Sequence, residues 1–458
     1  MTARFWLFLV PVVALIAAAV VIVPRLEGTP PEIVEIAAVE LGHTPRLFVV
    51  EVSDENSGLK SVELRVLSSG GSKTLVERHF PGGYLLGGDT RRDTIEITLD
   101  VESLGLADGS ATLVVVARDW SLREGLAGNG SERSTSLTID TAPPKLEVES
   151  GLTYVYRGGS GAVVYRLGEV THKDGVRVGK AFFPGYPMGA DDASEPDPLL
   201  RVALFAIPVE EPPNPTVVVV ARDSAGNEST ATFPIRIFDR QFSETSIALS
   251  QRFLNDTVRP LAEATGLAGR DLGESFKQVN ELLRERNEER IRAIVEDSSS
   301  ARRWQGGFEQ MRNSKVTSRF AEQRTYWWGK RPISQAIHYG FDLASTGGAP
   351  VAAANAGVVV FADNLGIYGN CVLIDHGLGL HSLYAHMSQI DVTEGTAVAK
   401  GETLGRSGST GLAGGDHLHF AILVGGRYVD PLEWWDPKWV RSHIEWRLQP
   451  AAKTARGG

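Results

Sequence analysis

Six of the ten histidines of this chain are concentrated in one stretch near its end. That stretch begins at His338 and ends at Pro431, and it contains His338, His376, His381, His386, His417 and His419. Neutral imidazole is the commonest metal ligand among protein side chains. Clustering of this kind therefore indicates a metal site.

Two spacings within the stretch favour that interpretation. His417 and His419 are two residues apart, so on a strand they project from the same face. His338 and Asp342 are four apart, which puts them on one face of either a strand or a helix. Imidazole and carboxylate without thiolate are ligands of catalytic zinc, which keeps three protein ligands and one position for water. A surface pair near a turn is the alternative for His338 and Asp342.

Around these residues the sequence resembles the LytM/lysostaphin family of zinc endopeptidases, which cut peptidoglycan cross-links. The resemblance covers roughly the last third of the chain, and its motifs occur in the family's order. They are His338-Tyr339-Gly340-Phe341-Asp342, Gly348-Ala349-Pro350-Val351, Gly357-Val358-Val359, Tyr368-Gly369-Asn370, Tyr384-Ala385-His386, Gly395-Thr396-Ala397-Val398, Gly408-Ser409-Thr410-Gly411, His417-Leu418-His419 and Asp430-Pro431.

The resemblance implies a zinc endopeptidase that acts on peptidoglycan stem peptides. One zinc ion would be bound by His338, Asp342 and His419. His386 and His417 would lie beside it as catalytic residues without ligating it, and which of them is the base stays open. The remaining pair, His376 and His381, fits no ligand role and is predicted to be non-catalytic, with a supporting role for His381 left open.

The sequence departs from the family at two places and ends in a tryptophan cluster. The family usually has Phe-Gly where this chain has Phe320-Ala321, and often Gly-Pro where it has Gly414-Gly415-Asp416. The second change puts the fit of substrate in doubt but not the ligands, and Asp416 is a candidate hydrogen-bond partner of a histidine. Trp434, Trp435 and Trp439 could form a glycan-binding face, although packing against the sheet is the simpler explanation.

Two other functions are considered beside the endopeptidase. The first is a catalytically silent protein that binds the wall or activates another hydrolase. Such relatives typically lack metal ligands, whereas this chain retains all of them. The second is an unrelated metal fold such as a cupin, which also uses His-x-His. The position of His338 and Asp342 far ahead of that motif fits a cupin poorly.

Length and composition narrow the class of protein. At 458 residues the chain is too long for one core, so several domains are expected. Its net charge of -10 argues against a nucleic-acid partner, which requires a basic surface. The single cysteine, Cys371, excludes a disulfide framework and a thiolate zinc site. Its apolar neighbours predict a buried thiol.

The beginning of the chain carries an apolar segment. Phe5 to Val23 spans 19 residues without a charge, enough to cross a bilayer once. A cleaved signal peptide is the alternative, but an uncleaved anchor over residues 1–28 is favoured. Flanking charges barely decide its orientation. The family resemblance implies a single-pass protein of the inner (cytoplasmic) membrane, with the bulk of the chain in the periplasm.

The predicted fold class is multidomain and mainly β. Period-two alternation predicts two β-sandwich modules, over 29–142 and 143–240, separated at Thr141-Ala142-Pro143-Pro144. The run Leu113 to Asp119 recurs as Val217 to Asp223, with a Gly-Asn pair after each copy. The modules loosely resemble bacterial immunoglobulin-like domains and would be spacers or a binding surface for wall or a protein partner. Asp54 to Gly58 could be a calcium loop, but a solvated turn is favoured.

The rest of the chain is predicted as a linker and a catalytic domain. Helical spacing of apolar residues predicts a helical hairpin linker over 241–300. Arg284 to Arg290 would be its exposed, mixed-charge face. A further hypothesis is that the hairpin covers the catalytic groove and holds the enzyme inactive. Residues 301–440 would form a LytM-type metallopeptidase domain built on a small antiparallel sheet, and 441–458 a tail.

Overall fold

The structure is a computed structural model that describes residues 12–13, 16, 19–189 and 197–448. Within these residues no helix is both long enough and apolar enough to cross a membrane. The predicted anchor falls mostly on residues outside this description, so it stays a prediction. The chain is mainly β and divides into two compact units. They are Met1–Pro143 with Arg222–Glu228, and Pro144–Ala221 with Ser229–Gly458.

The first unit is built from alternating strands around one hydrophobic core. Its strands are β1 (Glu32–Ile33), β2 (Val39–Leu41), β3 (Arg46–Ser53), β4 (Leu59–Ser68), β5 (Gly71–His79), β6 (Gly82–Gly83), β7 (Gly87–Gly88), β8 (Arg92–Leu99), β9 (Gly109–Asp119) and β10 (Gly130–Ile139). Sheets β1-β3-β8 and β2-β10-β9-β4-β5 enclose the core. Short helical segments are Val23–Leu26, Val101–Leu104 and Glu124–Leu126. From Val62 to Val66 every second residue of β4 is buried, as the alternation predicts.

The Asp54 loop is not the solvated turn that the sequence favoured. Asp54 is 4% exposed, and its carboxylate accepts the backbone N–H of Gly58. Ligand atoms of Glu27, Asp54 and Asp119 lie within 4.8 Å of one another. The Asp119 carboxylate, however, already accepts hydrogen bonds from the backbone and side chain of Asn129. The loop was misjudged because its long-range partners cannot be read from local composition.

The second unit begins with a further set of strands. They are β11 (Leu146–Val148), β12 (Thr153–Tyr156), β13 (Ser160–Leu167), β14 (Lys173–Val178), β15 (Ala181–Pro184), β16 (Tyr186–Met188), β17 (Asp197–Ala206), β18 (Val217–Arg222), β19 (Glu228–Ala231) and β20 (Ile235–Phe238). They form sheets β11-β13-β17-β16, β15-β14-β18-β19 and β12-β20. No strand lies between β10 and β11, where the paired prolines predicted a break.

The internal sequence echo has a structural counterpart. The first copy lies on β9 and the second on β18. In each, the aspartate that follows the strand core binds the asparagine of the Gly-Asn pair. The side-chain bond is 2.8 Å from Asn129 to Asp119 and 2.9 Å from Asn227 to Asp223. The two copies of the repeated sequence therefore form the same Asn–Asp hydrogen bond after their strands.

The catalytic region contributes the remaining strands. They are β21 (Glu244–Ala248), β22 (Lys315–Ser318), β23 (Glu322–Trp328), β24 (Arg331–His338), β25 (Phe341–Ala344), β26 (Pro350–Ala352), β27 (Gly357–Asn364), β28 (Asn370–Gly377), β29 (Leu380–Met387), β30 (Gln389–Ile390), β31 (Ala397–Val398), β32 (Thr403–Arg406), β33 (Leu418–Val424) and β34 (Arg427–Val429). The main sheet runs β22-β25-β33-β29-β28-β27-β31, with β34 beside β33. Smaller sheets are β21-β23-β24 and β26-β32-β30. Neighbouring strands of the main sheet pair antiparallel, in agreement with the small antiparallel sheet that the sequence predicts.

Two hairpin helices precede this sheet. The first hairpin helix comprises Gln251–Phe253, Leu254–Val258 and Arg259–Ala264, and the second comprises Leu272–Gln278, Val279–Leu283 and Arg284–Ile294. Ser250 and Asp271 cap their amino ends by accepting backbone N–H groups. Helices or helical turns after the hairpin are Gly366–Tyr368, Pro431–Trp435, Pro437–Trp439, Val440–Glu445 and Trp446–Leu448.

The helical prediction was wrong at two points in this hairpin region. Ile247 lies on β21, which pairs in parallel with β23. Its spacing of seven residues from Leu254 fits a helix only by coincidence. The predicted exposed face is also partly turned inward, because Asn287 is 8% exposed and its side chain accepts the Ile367 N–H at 2.9 Å. Fully buried hairpin residues belong to the same core as the catalytic sheet.

The tryptophans after the last strand pack as the simpler explanation predicted. Trp434 is fully buried and donates from its indole nitrogen to Ser160 at 3.1 Å. Trp435 stacks on Phe420, with ring centroids 5.5 Å apart. Trp439 lies against Trp434 at 5.8 Å. Through these contacts the tryptophan segment packs against β33 of the main sheet and against β13.

Glu433 makes the packing of the tryptophan segment against Ser160 of β13 sensitive to pH. Its carboxylate accepts the backbone N–H of Ser160 at 2.8 Å, and burial, with Asp430 adding to it, raises the pKa of Glu433 to about 8. A carboxyl whose folded pKa exceeds its usual 4.5 stabilises the fold fully below pH 4.5, and this stability is lost as pH rises towards 8. We expect Glu433→Gln to be more stable than wild type at pH 8.5 by about 2 kcal/mol, and nearly equal at pH 5.

Thermal unfolding at both pH values checks this expectation. Glu394→Gln, at an exposed position of the same region, is the control and should leave the pH profile unchanged. A Glu433→Gln profile parallel to that of wild type between pH 5 and 8.5 would contradict the assignment.

Candidate active site

Three side chains, carried by β24, β25 and β33, converge at one point. His338 Nε2 lies 2.9 Å from Asp342 Oδ1 and 2.9 Å from His419 Nδ1. The remaining pair, His419 Nδ1 and Asp342 Oδ1, is 3.0 Å apart. These residues form a group whose ligand atoms lie within 4.8 Å of one another, the arrangement of a metal site. Two imidazoles and a carboxylate are the predicted ligand types.

The strands bring these residues together by register rather than along one element. His338 ends β24, the chain turns at Tyr339-Gly340, and Asp342 lies on β25. Asp342 then faces His419 directly across the β25–β33 pair. The expectation that His338 and Asp342 share a face of one strand or helix was wrong, because a turn separates them. The same turn still brings both side chains to one point.

Gly340 in this turn is required by the site. A Cβ on Gly340 would lie 2.5 Å from the carbonyl oxygen of Phe420 and 2.7 Å from His419 Cε1. The outer edge of the His419 ring is therefore packed against the glycine. His419 Nε2 accordingly has no hydrogen-bond partner, although it is buried.

Neighbouring groups orient the cluster. His338 Nδ1 is 3.0 Å from the carbonyl of Arg319, so this nitrogen carries the proton and Nε2 is the free donor atom for a metal. Arg324 donates to Asp342 Oδ2 at 3.0 Å and to Glu322 at 2.9 Å. One carboxylate oxygen of Asp342 thus faces the histidines while Arg324 holds the other.

His386 and His417 lie beside the cluster. Their ring centroids are 4.8 Å apart, and His417 Nε2 is 3.6 Å from Asp342 Oδ1. His386 Nδ1 contacts the carbonyl of Thr410 and His417 Nδ1 that of Gly415, both at 2.8 Å. Each Nδ1 therefore carries a proton, which leaves Nε2 free to accept one. His386 has a left-handed backbone, with φ of 61°, which breaks the alternation of β29 and turns its side chain towards the site.

Burial and charge set the protonation of the cluster. Burial would raise the pKa of Asp342, but His338 and His419 outweigh it and hold that pKa well below its ordinary value. Burial, reinforced by His417 and His419, lowers the pKa of His386 to about 3. Burial likewise lowers the pKa of His419 to about 4. Ionised carboxylate and neutral imidazoles are the forms that bind metal.

The other histidines lie apart from this group. His376 binds the carbonyl of Ala356 and the hydroxyl of Ser382, both at 2.7 Å. His381 is fully buried, 3.5 Å from Asp375, and does not line the catalytic cavity. Both positions agree with the predicted non-catalytic roles.

Two further sequence expectations met different outcomes. Asp416 binds the N–H of Gly348 at 2.9 Å and the hydroxyl of Ser407 at 2.7 Å, so the suggested bond to a histidine was wrong. It instead fastens the loop ahead of His417 to the loop before β26. Cys371 is fully buried, as predicted, and burial raises the pKa of its thiol.

Ala321 explains one departure from the family. Its φ is 59°, in the left-handed region that glycine adopts at no steric cost. Ala321 adopts this conformation despite its Cβ, and its N–H donates to the His338 carbonyl at 2.8 Å. The substitution leaves the ligand strand in place.

A cavity of about 350 Å³ contains the whole cluster. Its walls come partly from elements outside the motif-bearing stretch: Ile247, Ala248, Leu249, Ser250, Phe253, Phe276, Arg284, Arg324 and Tyr326. Sequence reasoning identified none of these residues individually; it suggested only that the hairpin covers the catalytic groove. The sequence around Arg324 and Tyr326 indicates a strand, because these residues alternate with Gln323, Thr325 and Trp327. No local feature indicates which strand it pairs with.

Comparison with known proteins assigns the catalytic region to a family. Residues 336–431 match peptidase family M23. The DD-carboxypeptidase/endopeptidase Mpg of Neisseria meningitidis serogroup B is 43% identical over 96 residues, which are 21% of this chain and 22% of that protein. The peptidoglycan DD-endopeptidase ShyA of Vibrio cholerae is 38% identical over 121 residues, 26% of this chain and 27% of that protein. The match spans less than a third of either relative's length.

A solved structure also shows similarity to part of this chain. The catalytic domain of lysostaphin from Staphylococcus simulans covers 28% of this chain and 96% of its own length, at 29% identity and a TM-score of 0.24. The matched range of the family includes every member of the His338, Asp342 and His419 cluster together with His386 and His417. Residues 336–431 of this chain therefore form a domain of peptidase family M23, of the LytM type that its motifs predicted.

Proposed function

We propose that this protein is a zinc-dependent endopeptidase that hydrolyses peptide cross-links of bacterial peptidoglycan. The observation that carries the proposal is the convergence of His338, Asp342 and His419 in one cavity, with two more histidines beside them. The family match and the activities for which its relatives are named support the same reaction. Those relatives are DD-enzymes, so we propose the bond between D-alanine and diaminopimelate as the target.

The cluster fits a zinc ion. Two imidazole nitrogens and one carboxylate oxygen approach one another at 2.9 to 3.0 Å, so their lone pairs are directed at one point. The fixed tautomer of His338 also leaves the correct nitrogen free. A zinc ion held there would supply Lewis-acid chemistry, lowering the pKa of a water molecule and polarising the scissile carbonyl.

The protein's own residues would then position and move protons. His386 and His417 present Nε2 atoms with free lone pairs towards the cavity, since each Nδ1 is occupied by a carbonyl. One can take a proton from the attacking water, and a protonated histidine can return it to the leaving amine. A histidine N–H can also donate to the developing oxyanion. Arg324 would keep Asp342 ionised and oriented throughout.

Digestion of purified peptidoglycan by the full chain tests this function. We expect mass spectrometry to detect loss of cross-linked dimers and appearance of monomers. A zinc chelator should abolish the loss, and added zinc should restore it. His419→Ala should reduce the rate of dimer cleavage at least about 100-fold, because removal of one ligand leaves an incomplete metal site. No cleavage by folded, zinc-loaded protein would instead favour a silent wall-binding protein or an activator.

We further propose that residues 5–23 anchor the chain in the inner membrane, with the rest in the periplasm. The support is an uncharged segment of 19 residues together with a substrate that lies outside the cytoplasm. The strand-rich regions over 29–142 and 143–240 would then act as immunoglobulin-like spacers or as wall-binding surfaces. Protease added to spheroplasts should degrade the chain. Protection from protease until the membrane is broken would reverse the orientation.

A further inference from the structure

One side of the catalytic cavity is built by the hairpin rather than by the M23 domain. Arg284 and Phe276 of the second hairpin helix line the same cavity as the histidine cluster. The helix belongs to the core of this unit, since Phe276, Val279 and Leu283 are at most 5% exposed. It is thus a fixed wall of the groove.

Arg284 is held rigidly on this wall. Its Nε donates to the carbonyl of Asn280 at 3.1 Å, and its Nη2 donates to Asn280 Oδ1 at 2.8 Å. Asn280 is 1% exposed and donates in turn to Ser334 Oγ at 2.9 Å and to the carbonyl of Gln335 at 3.2 Å. Both partners lie on β24, the strand that ends in His338. The guanidinium is therefore positioned, through Asn280, by the strand that carries His338.

Among the described residues Arg284 makes no direct contact with a carboxylate, although its charge opposes the rise that burial causes in the pKa of Glu288. Among the described residues Arg284 forms no ion pair, and its hydrogen bonds are only those to Asn280. Glu288, one turn further on, is bonded to the hydroxyl of Tyr368 at 2.6 Å. Arg324, the other cation of the cavity, is already paired with Asp342 and Glu322. Arg284 Nη1 is thus free for an anion in the groove.

Arg284 also lies close to the site of reaction. Arg284 lines the same cavity as Tyr368. The Tyr368 ring is in turn 5.8 Å from the His419 ring. A group bound at Arg284 would therefore lie in the same cavity as the cluster of His338, Asp342 and His419.

We propose that Arg284 binds a substrate carboxylate beside the scissile bond, with Asn280 as its positioning residue. The inference rests on the proposed function and names the feature that the groove selects. In a D-alanyl–diaminopimelate cross-link, the carbon attached to the scissile nitrogen bears a free carboxylate. A planar guanidinium matches the geometry of a carboxylate. Asn280 fixes the orientation of this guanidinium by accepting hydrogen bonds from Nε and Nη2 of Arg284.

Two purified muropeptide dimers test the proposal, one with this carboxylate free and one with it amidated. We expect wild type to cleave the free-carboxylate dimer about 10- to 100-fold more efficiently, as a charged hydrogen bond allows. Arg284→Gln should lose most of that preference through a raised KM, with zinc content and Tm unchanged. Arg284→Lys should be intermediate, because it keeps the charge but not the fork.

Arg292→Gln is the matched control, since Arg292 lies on the same helix but outside the catalytic cavity. It should retain the full preference. Equal losses on both dimers in Arg284→Gln, or no preference in wild type, would overturn the assignment. Binding of both dimers to the His419→Ala protein, with and without Arg284→Gln, separates the two proposals. If wild type cleaves neither dimer, the proposed function fails, while carboxylate-selective binding lost in Arg284→Gln would still support the site.

Discussion

Asp342→Asn is expected to lose bound zinc and to reduce peptidoglycan cleavage by at least about 1,000-fold, equivalent to roughly 4 kcal/mol in the activation barrier. Asp342 Oδ1 lies within 3.0 Å of both His338 Nε2 and His419 Nδ1. No other carboxylate belongs to the described ligand group, so the substitution removes its only anionic ligand. Asparagine also weakens the contact with Arg324, whose charge then faces a neutral amide.

Zinc content by elemental analysis and dimer cleavage by mass spectrometry check this result together. Asp363→Asn is the matched control, because Asp363 is exposed at the end of β27 and lies outside the cavity. It should retain one zinc ion per chain and full cleavage. Stoichiometric zinc in Asp342→Asn, or cleavage within tenfold of wild type, would exclude Asp342 as a ligand.

The residues of the cluster were predictable because their information is local. His338 with Asp342 and His417 with His419 lie in short motifs, and the intervening Val-rich, Gly-bounded runs predict strands that the structure confirms at β27 and β28. Burial of Cys371 and the packing of Trp434 follow from composition around each residue. Functional residues that lie within a short motif can thus be predicted from the sequence alone.

The surroundings of the cluster were not predictable, because they depend on sheet register between distant segments. Arg324 reaches Asp342 only because β22 pairs with β25 and β23 turns back along β24. Ile247 was assigned to a helix since its spacing fits one, yet pairing of β21 with β23 decides its structure. Arg284 appeared as one charge in an exposed run. Only the fold shows that this side of the helix borders the catalytic cavity.

The hypothesis that the hairpin inhibits the enzyme stays a prediction, and the structure changes how it must be tested. Leu254, Val258 and Ile291 are fully buried in the core that also contains the catalytic sheet. Deleting 243–295 would expose that core, so loss of activity would report unfolding. Single substitutions on the cavity side of the hairpin are the informative change, since they leave the core intact.

Gly340→Ala is expected to disrupt the metal site without touching a ligand. The new Cβ would lie 2.5 Å from the Phe420 carbonyl oxygen and 2.7 and 2.8 Å from His419 Cε1 and Nε2. Because backbone and a buried ring close the space, His419 must move. Overpacking of this kind costs about 1–3 kcal/mol of stability. Displacement of a catalytic group by about 1 Å reduces activity roughly 100-fold.

Zinc affinity, Tm and dimer cleavage measured on one preparation distinguish this mechanism from general unfolding. Gly414→Ala is the control for stability and metal, since a Cβ there meets no atom within 4 Å. It should keep the Tm and zinc affinity of wild type. Gly340→Ala should lose zinc affinity while remaining folded at room temperature, because the added methyl presses on His419 Cε1, the ring atom bonded to the ligand atom Nδ1. Unchanged zinc affinity in Gly340→Ala would mean that His419 has room to retreat, and would refute the packing argument for this glycine.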